Sequence, residues 1–195
     1  MEFLSHYGTP IPASEILAQG LHPMQEKDGR LLIEAASALC NSRAAYTETD
    51  LWDYCNAPSH GETGLAMYIR DEAGLENFHK TKWGGTSAIK KAPSLHYVFE
   101  ARGGTYRIWA RVLMWDAAKS HFTIGIDDKI YSEQDLYGGQ GIWRFSAENI
   151  WRWVPLVDVK LRNGRHTLRY YAMSAGIRVE QFFITSTDGM PPAMA

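Results

Sequence analysis

Gly103-Gly104-Thr105-Tyr106-Arg107-Ile108-Trp109-Ala110-Arg111-Val112 decides the reading of this chain: behind two glycines, side-chain character alternates from one residue to the next. A period of two sends successive side chains to opposite faces of an extended strand, whereas a helix repeats its apolar positions every three to four residues. The same signature recurs downstream. Phe122-Thr123-Ile124-Gly125-Ile126 runs into a turn at Asp127-Asp128, Trp151 to Lys160 is extended, and His166 to Ala172 and Ile177 to Ile184 complete the series. Asn163-Gly164 carries a strong hairpin signal, because these two residues tolerate the positive φ that a tight turn demands. Upstream, Ser94 to Phe99 alternates cleanly, and Gly103-Gly104 is expected to turn it back into the Thr105 strand. Leu31 to Ala36 reads as a first strand, and Leu65-Ala66-Met67-Tyr68-Ile69 as a single strand between long loops. Glycine-punctuated strands without helices between them predict an all-β fold, an antiparallel β-sandwich of the jelly-roll kind.

The length of 195 residues divides into a linker or N-terminal strap at 1–30, rich in Pro and Gly, and a sandwich domain at 31–192. Ser14 to Gln19 is the one short helical stretch of the strap. A domain of roughly 150 residues buries about two-thirds of its unfolded surface, so no disulfide is needed to fold it. Cys40 and Cys55 are the two cysteines; oxidised, they close a loop of about 15 residues worth roughly 3 kcal/mol, and reduced they are two small buried thiols. Neither has a histidine at zinc-finger spacing. The formal charge is -2, with 20 basic and 22 acidic residues, and no basic run exceeds a pair such as Lys90-Lys91. Nucleic acid and anionic membranes, which require a concentrated basic face, are therefore disfavoured as partners. No stretch approaches the roughly 20 apolar residues that span a bilayer.

Catalytic patterns do not emerge. The chain contains no Gly-x-Ser-x-Gly, no phosphate-binding loop ending in Lys-Ser/Thr and no His-Glu-x-x-His. Ser87-Ala88-Ile89-Lys90 matches the Ser-x-x-Lys spacing but lacks that motif's partners. Of the seven histidines, His96 and His166 lie in strands and read as hydrogen-bonded structural residues, while His60 stands in the loop Ser59-His60-Gly61-Glu62. Aromatic residues are the distinctive feature, with seven Trp and ten Tyr. Trp83 precedes Gly84-Gly85, Trp115 follows a strand, Tyr137 begins Tyr137-Gly138-Gly139, and Trp143 lies beyond that glycine-rich loop. Trp151 stands two residues before Trp153, so the two share a strand face and suit a core. Loop-borne indoles have no such obligation; an exposed indole face stacks on the C–H face of a sugar ring while neighbouring polar groups read its hydroxyls.

Taken in order, Ile33-Glu34-Ala35, Gly104 to Val112, Ile124-Gly125-Ile126-Asp127, Trp151-Arg152-Trp153-Val154, Val159 to Leu168 and Ile177 to Thr185 resemble the carbohydrate-binding modules of the galactose-binding-like β-sandwich group. The likeness is to families 6 and 35 and to similar C-terminal domains of glycoside hydrolases, and it covers about Leu31 to Pro192. It implies a galactose-binding-domain-like jelly roll that performs no chemistry, attaches an enzyme to polysaccharide or oligosaccharide, and works outside the cytoplasm, in an extracellular or periplasmic setting. It further implies a structural calcium ion held by acids of the first and last strands, here Glu34 and Glu180. The chain departs from the pattern at Ala36, where a second acid is usual, and at Glu180, where Asp is usual. The implied sugar cleft is lined by Trp151 and by Arg178, whose fork of donors suits acidic or hydroxyl-rich ligands. With the loop aromatics, the expected binding set is Trp83, Trp115, Tyr137, Trp143, Trp151 and Arg178. The competing expectation is a structural or docking sandwich whose partner is another domain of the parent enzyme. A lyase or hydrolase of the same fold would need a cleft with converging His, Tyr, Arg or carboxylates.

Overall fold

The computed structural model describes residues 23–38, 40–42, 52–55, 66–69, 89–90, 92–114, 122–131, 151–173, 177–186 and 188–192. Within them run β1 (Met24–Gln25), β2 (Arg30–Glu34), β3 (Cys40–Ser42), β4 (Trp52–Cys55), β5 (Ala66–Ile69), β6 (Ser94–Met114), β7 (Phe122–Ile126), β8 (Lys129–Ile130), β9 (Trp151–Ala172) and β10 (Ile177–Ser186). A short 3-10 turn, Ala35–Ser37, follows β2. The strands hydrogen-bond in the order β4-β5-β10-β6-β9-β7-β8, with β1 and β3 on β6 and β2 on β10. All pairings are antiparallel except β1 with β6. No helix among the described residues is long and apolar enough to cross a membrane.

Two long strands make this ladder into a sandwich. β6 and β9 stay paired from Ser94↔Tyr171 to Leu113↔Trp151. A straight strand would hold Tyr97 and Ala110 about 43 Å apart at 3.3 Å per residue. Yet Phe182, the register partner of Ala110, has its ring 5.2 Å from that of Tyr97. The pair of strands must therefore fold back on itself. The first half of β6 and the second half of β9 join β3, β7 and β8 in one layer; the second half of β6 and the first half of β9 join β10, β2, β5 and β4 in the other.

The glycines expected to close hairpins occupy this corner. Both strands pass through without reversing: Ala101 pairs with Gly164, Arg102 with Asn163 and Gly104 with Leu161. Gly103, Gly104 and Gly164 have φ of 86°, 137° and 126°, which L side chains rarely adopt, so the glycines bend two paired strands together. A Cβ on Gly103 would lie 3.0 Å from the Asn163 nitrogen, whereas one on Gly164 would meet nothing within 4 Å. Alanine at either position costs about 1–3 kcal/mol of backbone strain. Gly103→Ala is expected to lower the urea midpoint more than Gly164→Ala, because it must also push the facing backbone away.

Between the layers lies the core. Leu95, Tyr97, Phe99, Ile108, Ala110 and Val112 of β6 meet Leu168 and Tyr170 of β9, Phe182 and Ile184 of β10, Ile33 and Trp52. Tyr170 sits among the rings of Phe122 (4.8 Å), Phe182 (5.2 Å) and Trp52 (5.5 Å). A second small cluster, Ala66, Leu113 and Trp151, packs on the opposite face of the β10 layer. His166, expected to be structural, ties the corner to the β7–β8 turn. Its Nδ1 lies 2.8 Å from Asp127 Oδ2 and its Nε2 lies 2.9 Å from the Arg162 carbonyl, while Asp127 Oδ1 accepts from the Thr167 amide. Met24 and Gln25 run alongside Phe99 and Glu100 of β6.

Candidate functional site

Antiparallel partners share a face, so the ladder registers assign the outer surface of the β10 layer row by row. Trp153, Arg111, Gln181 and Glu34 form one cross-strand row over β9, β6, β10 and β2. Four strands spaced about 4.8 Å apart give the row a length of about 14 Å. On one side runs Pro155–Trp109–Phe183–Leu32; on the other, Trp151–Leu113–Arg178–Tyr68. A mainly polar row that begins at Trp153 thus lies between two mainly apolar ones, the second interrupted by Arg178.

Polar contacts within the middle row are specific. Gln181 Nε2 donates to Glu34 Oε1 at 2.8 Å. Arg111 Nη1 lies 3.1 Å from Glu180 Oε2, and both side chains are almost wholly buried. Glu180 reaches Arg111 because the register shifts between Val179 and Gln181, leaving Glu180 as the extra residue of a β-bulge. Trp153 meets the Phe183 ring edge-on, with centroids 6.2 Å apart. Trp153, Arg178, Tyr68 and Glu34 are half-buried and Leu32 is exposed, so the row is open at its ends while Trp109 and Phe183 are covered. The buried indole N–H groups of Trp109 and Trp151 have no acceptor among the described residues. Surfaces that combine flat apolar rings with fixed donors and acceptors are suited to ligands that are themselves part C–H face and part hydroxyl.

Of the expected binding set, Trp83, Trp115, Tyr137 and Trp143 lie outside the described residues. Arg178 stands on β10, half-buried, opposite Leu113 and Tyr68. Trp151 corrects the expectation that it lines an open cleft: it is 7 % exposed and packs with Ala66 and Leu113. Burying an indole removes a large apolar surface from water, and the neighbours here supply that cover. Glu34 and Glu180 are both on or beside the middle row, each already engaged by a side chain. Arg111, Gln181, Trp109 and Phe183 were not singled out from the sequence. Alternation along Thr105 to Val112 already separates Arg107, Trp109 and Arg111 from Tyr106, Ile108, Ala110 and Val112, and that was the available signal.

The other sheet's outer face holds a serine–histidine contact. Ser94 Oγ lies 2.7 Å from His96 Nε2, and Arg169 stands opposite His96 in the ladder. Burial, then the Arg169 charge, lowers the His96 pKa to about 4, so the imidazole is neutral at pH 7. Both residues are buried, which makes the contact a satisfied structural pair.

No family model and no curated protein matches the chain. Solved structures of similar architecture include the C-terminal family 6 carbohydrate-binding module of LamC, a marine laminarinase from Zobellia galactanivorans. That match has 17% identity and a TM-score of 0.49, and covers 80% of this chain and 99% of that one. A family 35 carbohydrate-binding module from Clostridium thermocellum aligns at 15% identity and TM-score 0.47, over 80% of this chain and 98% of that one. The Podospora anserina GH26-CBM35 β-(1,4)-mannanase aligns at 11% identity and TM-score 0.49; the match spans 85% of this chain but 29% of the mannanase. These likenesses concern architecture, and the functional reading rests on the side chains of this chain.

Proposed function

We propose that the chain is a non-catalytic carbohydrate-binding accessory module, one that attaches a polysaccharide-degrading enzyme to its glycan outside the cytoplasm. The observation that carries the reading is the row Trp153–Arg111–Gln181–Glu34, set between lines of aromatic and aliphatic side chains on one rigid sheet face. A polysaccharide or oligosaccharide is an extended object with apolar C–H faces and hydroxyl edges. Trp153 supplies a ring to stack on, and Arg178, Gln181 and Glu34 supply donors and acceptors for the edges. The loop rings Trp83, Trp115, Tyr137 and Trp143 belong to the same proposal as further stacking partners. Affinity is modest in this scheme, since a few stacked rings and hydrogen bonds must offset the ligand's lost freedom.

Affinity electrophoresis and glycan arrays on the intact chain test the reading. Trp153→Ala is expected to weaken retention about tenfold, the equivalent of one lost stacking contact near 1.4 kcal/mol. Retention unchanged by that variant but lost in Trp83→Ala/Trp143→Ala moves the site to the loops. A chain that retains no glycan yet captures the catalytic domain of its parent enzyme replaces this reading with the docking one.

A further inference from the structure

We propose that the buried guanidinium of Arg111 takes the place of the structural calcium ion that the resemblance implies at Glu34 and Glu180, so that this sandwich is held without a divalent cation. The side chains do not fit a calcium site. Calcium is bound by six to eight oxygen ligands at about 2.3–2.6 Å. Glu180 has no solvent exposure, and its carboxylate Oε2 meets Arg111 Nη1 at 3.1 Å. Glu34 presents Oε1 to the amide nitrogen of Gln181, a donor that cannot ligate a cation. Arg111 and Glu34 are both register partners of Gln181, so any ion between the two carboxylates would sit beside a fixed positive charge. Among the described residues no three His, Cys, Asp or Glu side chains are grouped to hold a metal.

The bulge makes the substitution possible. The extra residue in β10 puts Glu180 beside Arg111 on the strand alongside, and a fully buried carboxylate needs a charge partner. An arginine on the neighbouring strand supplies that partner from within the chain. Charge neutralisation then depends on neither ion supply nor ligand geometry.

Thermal unfolding of the intact chain in EDTA and in millimolar calcium tests the proposal, together with a terbium titration read through tryptophan-sensitised luminescence. The expected result is one midpoint in both buffers and no saturable terbium signal. A calcium-dependent rise in the midpoint, or saturable luminescence that calcium displaces, overturns it without any variant having to fold. Arg111→Met and Glu180→Gln are each expected to lower the midpoint by on the order of 10 °C, and the double variant to recover part of that loss. Strictly additive losses overturn the pairing.

Discussion

Phe182→Ala is expected to cost about 3–5 kcal/mol of folding stability. Phe182 is fully buried, and its ring reaches from the β10 layer to Tyr97 and Tyr170 of the facing layer, each at 5.2 Å. Truncation leaves a cavity where the layers meet. Urea unfolding should show the midpoint fall with an unchanged slope. The neighbouring Phe183→Ala removes a ring of similar size from the outer face, where it is also buried and meets Trp153 edge-on. A loss well below 3 kcal/mol in Phe182→Ala would show that its ring does not bridge the layers.

Acid is expected to remove about 3 kcal/mol through one residue, His96. Its folded-state pKa is lowered to about 4 from an ordinary 6.5, chiefly by burial and secondarily by the Arg169 charge. A group whose folded pKa is depressed binds protons more readily when unfolded. Its contribution is therefore complete above pH 6.5 and is lost as pH falls from 6.5 towards 4, at about 1.4 kcal/mol per unit. His96→Gln keeps a neutral hydrogen-bonding group beside Ser94 and should flatten the stability profile across that window. A profile unchanged by the variant would show that His96 carries no such linkage.

Strand identity was legible because burial on one face imposes a period of two, as at Ser94 to Phe99 and Thr105 to Val112. The corner was misread, since Asn163-Gly164 and Gly103-Gly104 report local backbone freedom. Whether the chain reverses there depends on a partner strand far away in sequence. Trp151 and Trp153 do share a face, but adjacency along a strand cannot say what covers that face; Trp151 is covered and Trp153 is half-open. The bulge leaves a trace in the sequence. Val179 and Phe182 both point inward at a spacing of three, a break in the period that an extra residue at Glu180 explains. The same break occurs in β9, where Leu156 and Val157 are both core residues beside the register shift opposite Ile108 and Trp109.

Because β6 and β9 each belong to both layers, the two sheets are joined through continuous backbone at the glycine corner. Opening either layer strains the glycine corner and breaks pairs between residues distant in sequence, so partial unfolding is penalised and the native state melts as one unit. Amides in the buried stretches on either side of the corner, such as the Leu95–Tyr170 and Ala110–Val154 pairs, should be the last to exchange with deuterium. Were the chain to serve as the enzyme tether proposed above, it would give way under load at its grip on the ligand before the scaffold itself tears.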